Sequence, residues 1–226
     1  MARIWSTGFE LNSTDAKVEY TLTAVPGDWS IVTSPVRSGT YVGRSNPSAS
    51  QGGAIFYQLY SANQSTDIGF LRVYLRIATL PDTPMIVGTF MNNGLSTRAV
   101  VYLNTNGTLQ LQDSTFTNIG SPSSALSTNT WYRIEIKDDA STNPGTFEAR
   151  LDGTTFASGS DVAGVNSWNQ IQIGDNNTAT WDVYFDDIAV NNNTGSFQNS
   201  WPGDCAGIIH LRPNAAGDTD AWDLTT

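Results

Sequence analysis

Trp181-Asp-Val-Tyr-Phe-Asp-Asp-Ile-Ala-Val190 is the stretch on which the predicted fold depends. It closes a run of strand signals that begins at Thr130. Apolar and charged residues alternate in Trp131-Tyr-Arg-Ile-Glu-Ile-Lys137, which is the two-residue period of a half-buried strand. Turn residues at 138–145 and the returning strand Thr146-Phe-Glu-Ala-Arg-Leu151 then predict a hairpin. No segment of this run has a helical period, so it predicts consecutive antiparallel strands.

The order of these pieces resembles one half of a known sandwich fold. The matching residues are Thr130-Trp-Tyr-Arg-Ile-Glu135, the turn Leu151-Asp152-Gly153, Ile173-Gly174 and Phe185-Asp-Asp-Ile-Ala-Val190. They resemble the C-terminal half of the concanavalin A-like lectin/glucanase jelly rolls, a superfamily that includes laminin G-like and pentraxin-like domains. The resemblance implies an all-β fold, an antiparallel β-sandwich of the concanavalin A-like jelly-roll type. It also implies that the N-terminal strand, Ile4–Leu11, pairs with the strand of Asp186 and Asp187.

Length and composition indicate one main domain without long helices. The chain has 226 residues, of which 14% are charged, and its 20 glycines suit many short strands joined by tight turns. We predict a jelly-roll domain at residues 1–190 and a C-terminal extension at 191–226 that serves as an assembly or linker segment. The net charge of −10 disfavours nucleic acid as a partner, because phosphate backbones attract a basic surface.

The cysteine count and the N-terminal sequence limit the disulfides, metal sites and cellular locations that can be expected. Cys205 is the only cysteine, so no intrachain disulfide can form, and with a single histidine a four-ligand zinc site is excluded. The N-terminus has no basic segment followed by an apolar one, and no later stretch approaches about 18 consecutive apolar residues. We therefore expect synthesis in the cytoplasm without a signal peptide, and no membrane partner.

Further short strands are predicted in the first half of the chain. Lys17–Thr23 and Trp29–Val32 predict two strands of one sheet. Ser45–Gly53 predicts a long loop, in the place where the lectins that the chain resembles often bind ligands. A flexible connection is the other interpretation of this loop.

The longest predicted strand, Ile68–Ala78, has two different sides. The side of this strand that faces away from the core carries Arg72, Tyr74 and Arg76. This row must face outward because unpaired guanidinium groups are costly to bury. This row is either a platform for sugars or a protein partner, or a plain solvated face. Aromatic rings would stack on a bound sugar, and the candidate carbohydrate-binding residues are Tyr74, Trp168 and Trp181. The apolar row expected in the core is Leu71, Val73, Leu75 and Ile77.

Carboxylates for glycoside hydrolysis are not paired in this sequence. The glucanases of the superfamily carry a Glu-x-Asp-x-(x)-Glu strand, which places the nucleophile and the general acid on one face. The glutamates of this chain lie too far apart for that pattern, at Glu10, Glu19, Glu135 and Glu148. We therefore predict no catalytic residues and no enzymatic activity.

Two clusters rich in aspartate are interpreted as structural or metal-binding groups and not as catalytic ones. Asp186 and Asp187 are adjacent, so a regular strand directs them to opposite sides. The resemblance implies that this pair fixes the closing strand and a nearby turn by hydrogen bonds. No cofactor is predicted, and the alternative is a calcium ion near Asp175, Asn176 and Asn177, whose oxygen atoms suit a hard cation.

The C-terminal extension carries a second resemblance. Its pieces are Asp186-Asp187-Ile188, Thr194-Gly195, Asn199-Ser200, Pro202-Gly203-Asp204 and Leu211-Arg-Pro-Asn-x-x-Gly217-Asp218. They are similar to a segment of bacteriophage virion structural proteins that carry a concanavalin A-like domain. The extension is too short for a core of its own, so its apolar side chains need either the outside of the same sandwich or a neighbouring subunit of a homo-oligomer. We favour the neighbour, and the candidate assembly residues are Phe197, Trp201, Ile208, Ile209, Leu211 and Trp222.

These features predict a non-enzymatic virion structural protein of a tailed bacteriophage, made in the host cytoplasm and located in the virion. The expected role is a capsid decoration protein or a head or tail appendage, with the major capsid protein among its partners. The alternative is a lectin-like adhesion module that binds a surface glycan. A divergent glycoside hydrolase is the third interpretation.

Overall fold

A computed structural model describes most of the chain, namely residues 3–13, 21–24, 28–51, 53–58, 68–92, 96–161 and 168–208. All regular secondary structure in these ranges is β-strand. The strands form antiparallel sheets that pack as a sandwich, so the predicted all-β jelly-roll fold is confirmed. Within the same ranges, no helix has the length and hydropathy needed to cross a bilayer.

Sheet A contains eight strands, and strand β17 (Asp182–Asn192) lies near its middle. One edge of β17 pairs with β7 (Ile68–Thr79), and the other edge pairs with β4 (Val42–Ser45) and then β1 (Arg3–Thr7). The predicted pairing of the N-terminal strand with the strand of the two adjacent aspartates is therefore confirmed. The sheet continues with β3 (Trp29–Val32) beyond β4 and, beyond β7, with β12 (Trp131–Asp139), β13 (Thr146–Leu151) and β14 (Thr154–Ser160).

Sheet B forms the other layer of the sandwich, and a two-stranded ribbon lies beside the sheets. The ribbon pairs β5 (Ser48–Gln51) with β16 (Thr178–Thr180). In order, sheet B contains β11 (Asn118–Ile119), β10 (Leu109–Gln112), β9 (Thr97–Leu103), β8 (Met85–Met91), β15 (Gln170–Gly174), β6 (Gly53–Gln58) and β2 (Thr21–Ala24).

Two predictions about the first half of the chain are wrong. Strands β2 and β3 were expected in one sheet, but β2 pairs with β6 in sheet B whereas β3 pairs with β4 in sheet A. The 45–53 segment was expected to be a loop, but it contains β5. The first error arises because alternation shows which residues of a strand are buried and not which strand it pairs with. The second arises because β5, Ser-Ala-Ser-Gln, is short and polar and has no apolar alternation that would indicate a strand.

Strand β7 has the two sides that its alternation predicts. Its apolar row lies between the sheets without solvent exposure and consists of Leu71, Val73, Leu75 and Ile77. Strand β12 contributes Ile134 and Ile136 to the same core. The opposite side chains of both strands form the outer face of sheet A, where the polar contacts described below lie.

Trp168 and Trp181 belong to the core of the sandwich. Both indoles have 0% exposure. Trp168 packs edge-on against Phe90 at 5.1 Å, and Trp181 donates from Nε1 to Ser45 Oγ at 3.0 Å. Because neither ring presents a face to solvent, the structure offers neither as a surface on which a sugar could stack.

A buried ion cluster joins the two sheets. Arg98 of β9 donates to Asp138 of β12 at 2.9 and 3.1 Å and to Asp161 at 2.9 Å. None of these three side chains is exposed to solvent. Because each carboxylate is paired with the guanidinium, loss of Arg98 would leave two buried negative charges without their counter-ion.

Candidate functional site

The outer face of sheet A carries the polar row that the sequence predicts. In the register of the sheet, Tyr74 stands opposite Arg133 on one side and Asp186 on the other. Arg72 stands opposite Glu135. Yet Arg72 and Tyr74 are only 1% and 5% exposed. They are buried because a later part of the chain crosses this face.

Residues 200–208, which we call the strap, lie against the outer face of sheet A. The strap begins where the Ser200 carbonyl accepts a hydrogen bond from Asn191 Nδ2 at 2.8 Å. It ends where the Ile208 amide donates to Asp187 Oδ1 at 2.5 Å. At that end the strap approaches Gly8 so closely that a Cβ there would collide with the Ile208 carbonyl. The strap is therefore attached at both ends to β17, the central strand of the sheet.

Trp201 anchors the strap through its ring. The indole packs edge-on against Phe70, with ring centroids 5.3 Å apart and planes at 62°. The guanidinium of Arg150 lies 3.9 Å from the centre of the same indole. An aromatic pair and a cation–π contact thus hold one side chain of the strap on β7 and β13.

Gly203 is bound to the sheet through both of its backbone groups. Its amide donates to Glu135 Oε1 at 2.8 Å, and its carbonyl accepts from Arg72 Nη1 at 3.0 Å. Arg72 also donates from Nε and Nη2 to the Asp187 carbonyl, at 3.1 and 3.0 Å. These bonds satisfy the Arg72 guanidinium, which explains how an arginine can be almost fully buried here.

The Asp204 carboxylate is the charged group through which the strap contacts sheet A. Tyr74 Oη donates to it, Arg37 Nη2 donates to it at 3.1 Å, and Arg133 Nη1 lies 3.9 Å away. The Tyr74 hydrogen bond, the Cys205 amide and the two arginines hold the pKa of Asp204 below its ordinary value. Burial and the bond to Asp204 raise the pKa of Tyr74 to about 12, so the phenol stays a donor.

The sequence predicted that Asp186 and Asp187 point to opposite sides of the strand, and this prediction is wrong. Asp187 has a φ of 46° at an irregularity in the pairing of β17, which breaks the two-residue period. As a result both carboxylates bind one turn: Asp186 accepts from the Arg37 amide at 3.0 Å, and Asp187 accepts from Ser38 Oγ at 2.9 Å. The implied role of the pair, fixing the closing strand and a nearby turn, is confirmed.

The environment of Asp186 also changes its titration. The side chain has no solvent exposure, and its oxygens accept from the amides of Arg37, Ser38 and Asp187. Burial, and then the charge of Asp187, raise the pKa of Asp186 to about 7. A raised pKa is typical of a general acid, but this carboxylate is sealed beneath the turn and cannot reach a substrate.

An open polar cleft of about 260 Å³ lies beside the strap on the outer face of sheet A. One cross-strand row of its lining is Lys137, Glu148 and Ser158. A second row adds Thr146 and Ser160. The cleft therefore offers hydroxyl groups, one ammonium group and one carboxylate to solvent.

The charged groups of the cleft are oriented by neighbours. Lys137 Nζ lies 3.2 Å from Asp139, and Glu148 accepts from Arg150 Nε at 2.7 Å and from Thr155 Oγ1 at 2.6 Å. Although burial acts in the opposite direction, the bonds from Thr155 and Arg150 keep the pKa of Glu148 below its ordinary value. Arg150, which orients Glu148, also contacts Trp201, so the cleft lies close to the strap.

The predicted assembly residues are distributed along the extension. Trp201 and Ile208 lie in the strap and are half-buried, whereas Phe197 is 82% exposed. Trp201 packs against Phe70 on the outside of the same sandwich, which is one of the two covering surfaces predicted, and a neighbouring subunit stays a prediction. The other three predicted residues, Ile209, Leu211 and Trp222, lie outside the described residues.

Several residues of this face were not singled out from the sequence. Arg133 and Glu135 were assigned only to the charged side of a strand, and Arg150 had no assigned role. Arg37 has no sequence signal, since it lies in a turn whose position depends on the two aspartates of β17. Asp204 was part of the phage-like segment, but nothing in its sequence indicates which face of the sandwich it meets.

The calcium alternative gains no support from the geometry of Asp175. Its two carboxylate oxygens accept hydrogen bonds from the Ile86 and Asn177 amides, both at 2.9 Å. Across the part of the chain that the structure describes, no group of three or more His, Cys, Asp or Glu side chains could hold a metal ion. Asp175 instead joins its own turn to the start of β8.

No protein-family model and no curated protein matches this sequence. The fold is similar to Cip1, a cellulose induced protein, at 14% identity and a TM-score of 0.62, covering 82% of this chain and 95% of Cip1. It is similar to a sialidase at 11% identity and a TM-score of 0.57, covering 84% and 18% of the two chains. The binding domain of botulinum neurotoxin DC, solved in complex with SialylT, matches at 12% identity and a TM-score of 0.56, covering 84% of this chain and 47% of that one. This chain thus spans less than half of the sialidase and the toxin domain. At such low identity, these likenesses show that it has the lectin-like, jelly-roll β-sandwich fold.

Proposed function

We propose that this protein is a non-catalytic glycan-binding module and that the cleft on sheet A is where a glycan binds. The observation that carries the proposal is the open cleft of about 260 Å³, which is lined by hydroxyl groups and two opposite charges. The fold adds support, because similar structures include a toxin binding domain in complex with SialylT. Of the functions considered from the sequence, the glycan-binding alternative fits these findings better than the virion role.

The chemistry of the cleft suits a sugar. Sugar hydroxyls both donate and accept hydrogen bonds, and the cleft offers the Lys137 ammonium as donor, the Glu148 carboxylate as acceptor and the Ser158 hydroxyl as both. Ion pairs with neighbours already restrict Lys137 and Glu148, so less side-chain entropy is lost when a ligand binds.

The carboxylates of this face favour binding over hydrolysis. A retaining or inverting glycosidase needs one carboxylic acid with a raised pKa that can reach the glycosidic oxygen. The pKa of Glu148 is lowered, Glu135 is tied to the strap and to Arg133, and Asp186 is sealed under a turn. None of these three carboxylates is thus available as the acid catalyst of a glycosidase.

The test is binding to a glycan array, followed by titration of each hit by calorimetry. Ser158→Leu should block the cleft and abolish binding, whereas Ser124→Leu, the same change at an exposed position outside the cleft, should have no effect. Lys137→Ala should weaken binding, by roughly 10-fold if a charged hydrogen bond is lost. Hits that bind Ser158→Leu as tightly as the wild type would show that the cleft is not the site.

A location in the virion remains a separate proposal. It rests on the phage-like segments of the extension and on the exposed ring of Phe197, and the similar structures named above provide no link to bacteriophage. Mass spectrometry of purified phage particles would test it. Particles that contain this chain would support the proposal, and particles that consistently lack it would contradict it.

A further inference from the structure

The Asp204 carboxylate is held on sheet A as a ligand would be. Its hydrogen-bond donors are Tyr74 on β7, Arg37 in the turn before β4 and the Cys205 amide, and Arg133 on β12 forms an ion pair with it at 3.9 Å. Asp204 itself is 74% exposed. Its position is therefore open to solvent on one side and lined by two guanidinium groups and a phenol on the other.

These groups have contacts that do not involve Asp204, although Arg37 Nη2 also donates to the Cys205 carbonyl of the strap at 2.5 Å. Arg37 pairs with Asp187 at 2.5 Å, and its guanidinium lies 3.5 Å over the ring of Tyr74. Arg133 lies 3.2 Å from Glu135. The donors should keep their places when Asp204 is removed. Two fixed guanidinium groups beside a hydroxyl donor are well suited to a carboxylate.

A sugar ring attached to a carboxylate here would extend over the solvent side of this position, because Asp204 is 74% exposed. The Phe70 ring, the Glu135 carboxylate and the Arg72 guanidinium stay engaged with Trp201 and Gly203 of the strap. Arg133 beside this position and Lys137 of the cleft lie on the same side of β12, four residues apart, so one oligosaccharide could contact both.

We infer that this position binds the carboxylate of an acidic sugar, of the uronic or sialic acid class, and that Asp204 occupies it as an internal competitor. The inference rests on the proposed function, because it names the class of glycan for the same face. A group on a short tether has an effective concentration on the order of millimolar. A free acidic sugar of millimolar affinity must therefore compete with Asp204, and the wild-type protein should bind it weakly.

The test compares methyl β-glucuronide with methyl β-glucoside, which differ only by the carboxylate, and uses calorimetry or NMR titration. Asp204→Ala should raise the ratio of glucuronide affinity to glucoside affinity by at least about 2-fold over the wild type, because a competitor whose effective concentration equals its dissociation constant fills half of the sites. Adding Arg133→Ala should remove most of that gain. Asp204→Asn, which keeps the shape and removes the charge, repeats the test should the alanine variant fail to fold. A ratio that does not rise in the folded variants would overturn the inference.

Three further outcomes distinguish failure of this inference from failure of the proposed function. Acetate that binds Asp204→Ala as tightly as methyl β-glucuronide would overturn the assignment to a sugar, because the carboxylate alone would then account for binding. If Ser158→Leu abolishes glycan binding to the cleft while Asp204→Ala gains nothing, the inference fails and the proposed function stands. If no glycan binds any of these proteins, both fail.

Discussion

Replacing Trp201 by alanine should loosen the strap without unfolding the sandwich. The change removes the edge-on contact with Phe70 at 5.3 Å and the guanidinium of Arg150 at 3.9 Å. An aromatic pair contributes about 0.5–1.5 kcal/mol, and a partly exposed cation–π contact about 0.5–1 kcal/mol. Together they give a loss of about 1–2.5 kcal/mol in strap docking, or roughly 5- to 70-fold in the opening equilibrium.

Amide hydrogen exchange measures this equilibrium directly. The informative amides are those of Gly203 and Ile208, which donate to Glu135 and Asp187 and are exposed to exchange only when the strap leaves the sheet. In Trp201→Ala both should exchange faster by the same factor. Amides in the core strands should keep their protection.

Phe197→Ala is the matched control. This ring belongs to the same extension and is 82% exposed, so its removal should leave exchange at Gly203 and Ile208 unchanged. The reasoning is refuted if Phe197→Ala accelerates exchange as much as Trp201→Ala does. It is also refuted if Trp201→Ala leaves both amides protected, because the backbone bonds alone would then hold the strap.

Three further changes test the interior and the turns. Arg98→Met should lower the free energy of unfolding by about 3–5 kcal/mol at neutral pH, because it removes the guanidinium that two buried carboxylates share. Burial raises the pKa of Asp138, so this loss, measured by urea denaturation, should shrink as the pH falls, and a loss that stays constant would contradict the explanation. Asp186 has a folded pKa of about 7, above its ordinary value of 3.8, so its contribution to stability is full below the lower value and is lost as the pH rises through about 7. The free energy of unfolding of the wild type relative to Asp186→Asn should therefore fall between pH 4 and pH 8, and a constant difference would show that Asp186 does not titrate there. Gly39→Ala should lower the melting temperature more than Gly203→Ala does. Both glycines have a φ near 65°, but only a Cβ at Gly39 would collide with Glu10. Equal decreases in melting temperature would rule out that collision.

The sequence predicted which side chains of a strand are buried better than it predicted which strands pair. Alternation in β7 and β12 identified the buried rows, because the period of a strand follows directly from its geometry. It placed β2 and β3 in the same sheet, since two short strands that are adjacent in sequence carry no signal for their different partners. The irregularity at Asp187 was equally hidden, although a short polar side chain such as aspartate tolerates a positive φ better than most.

The candidate site was predicted only in part. The outward row containing Arg72 and Tyr74 was identified correctly, but its burial was not, because the covering strap lies about 130 residues later in the sequence. Trp168 and Trp181 were chosen as sugar-binding residues and lie in the core. An aromatic side chain has the same sequence signal whether it packs inside or stacks on a ligand, so only the fold distinguishes the two.

Strand β17 ties the folding of this protein to the order in which the chain is synthesised. Until residues 182–192 leave the ribosome, β7 lacks one of its neighbours, and β1 and β4 are not yet joined to the rest of sheet A. Pairings this distant in sequence form slowly. The sandwich should therefore close only after β17 has emerged, and a nascent chain that stops before it would leave the apolar row of β7 exposed to chaperones and to aggregation.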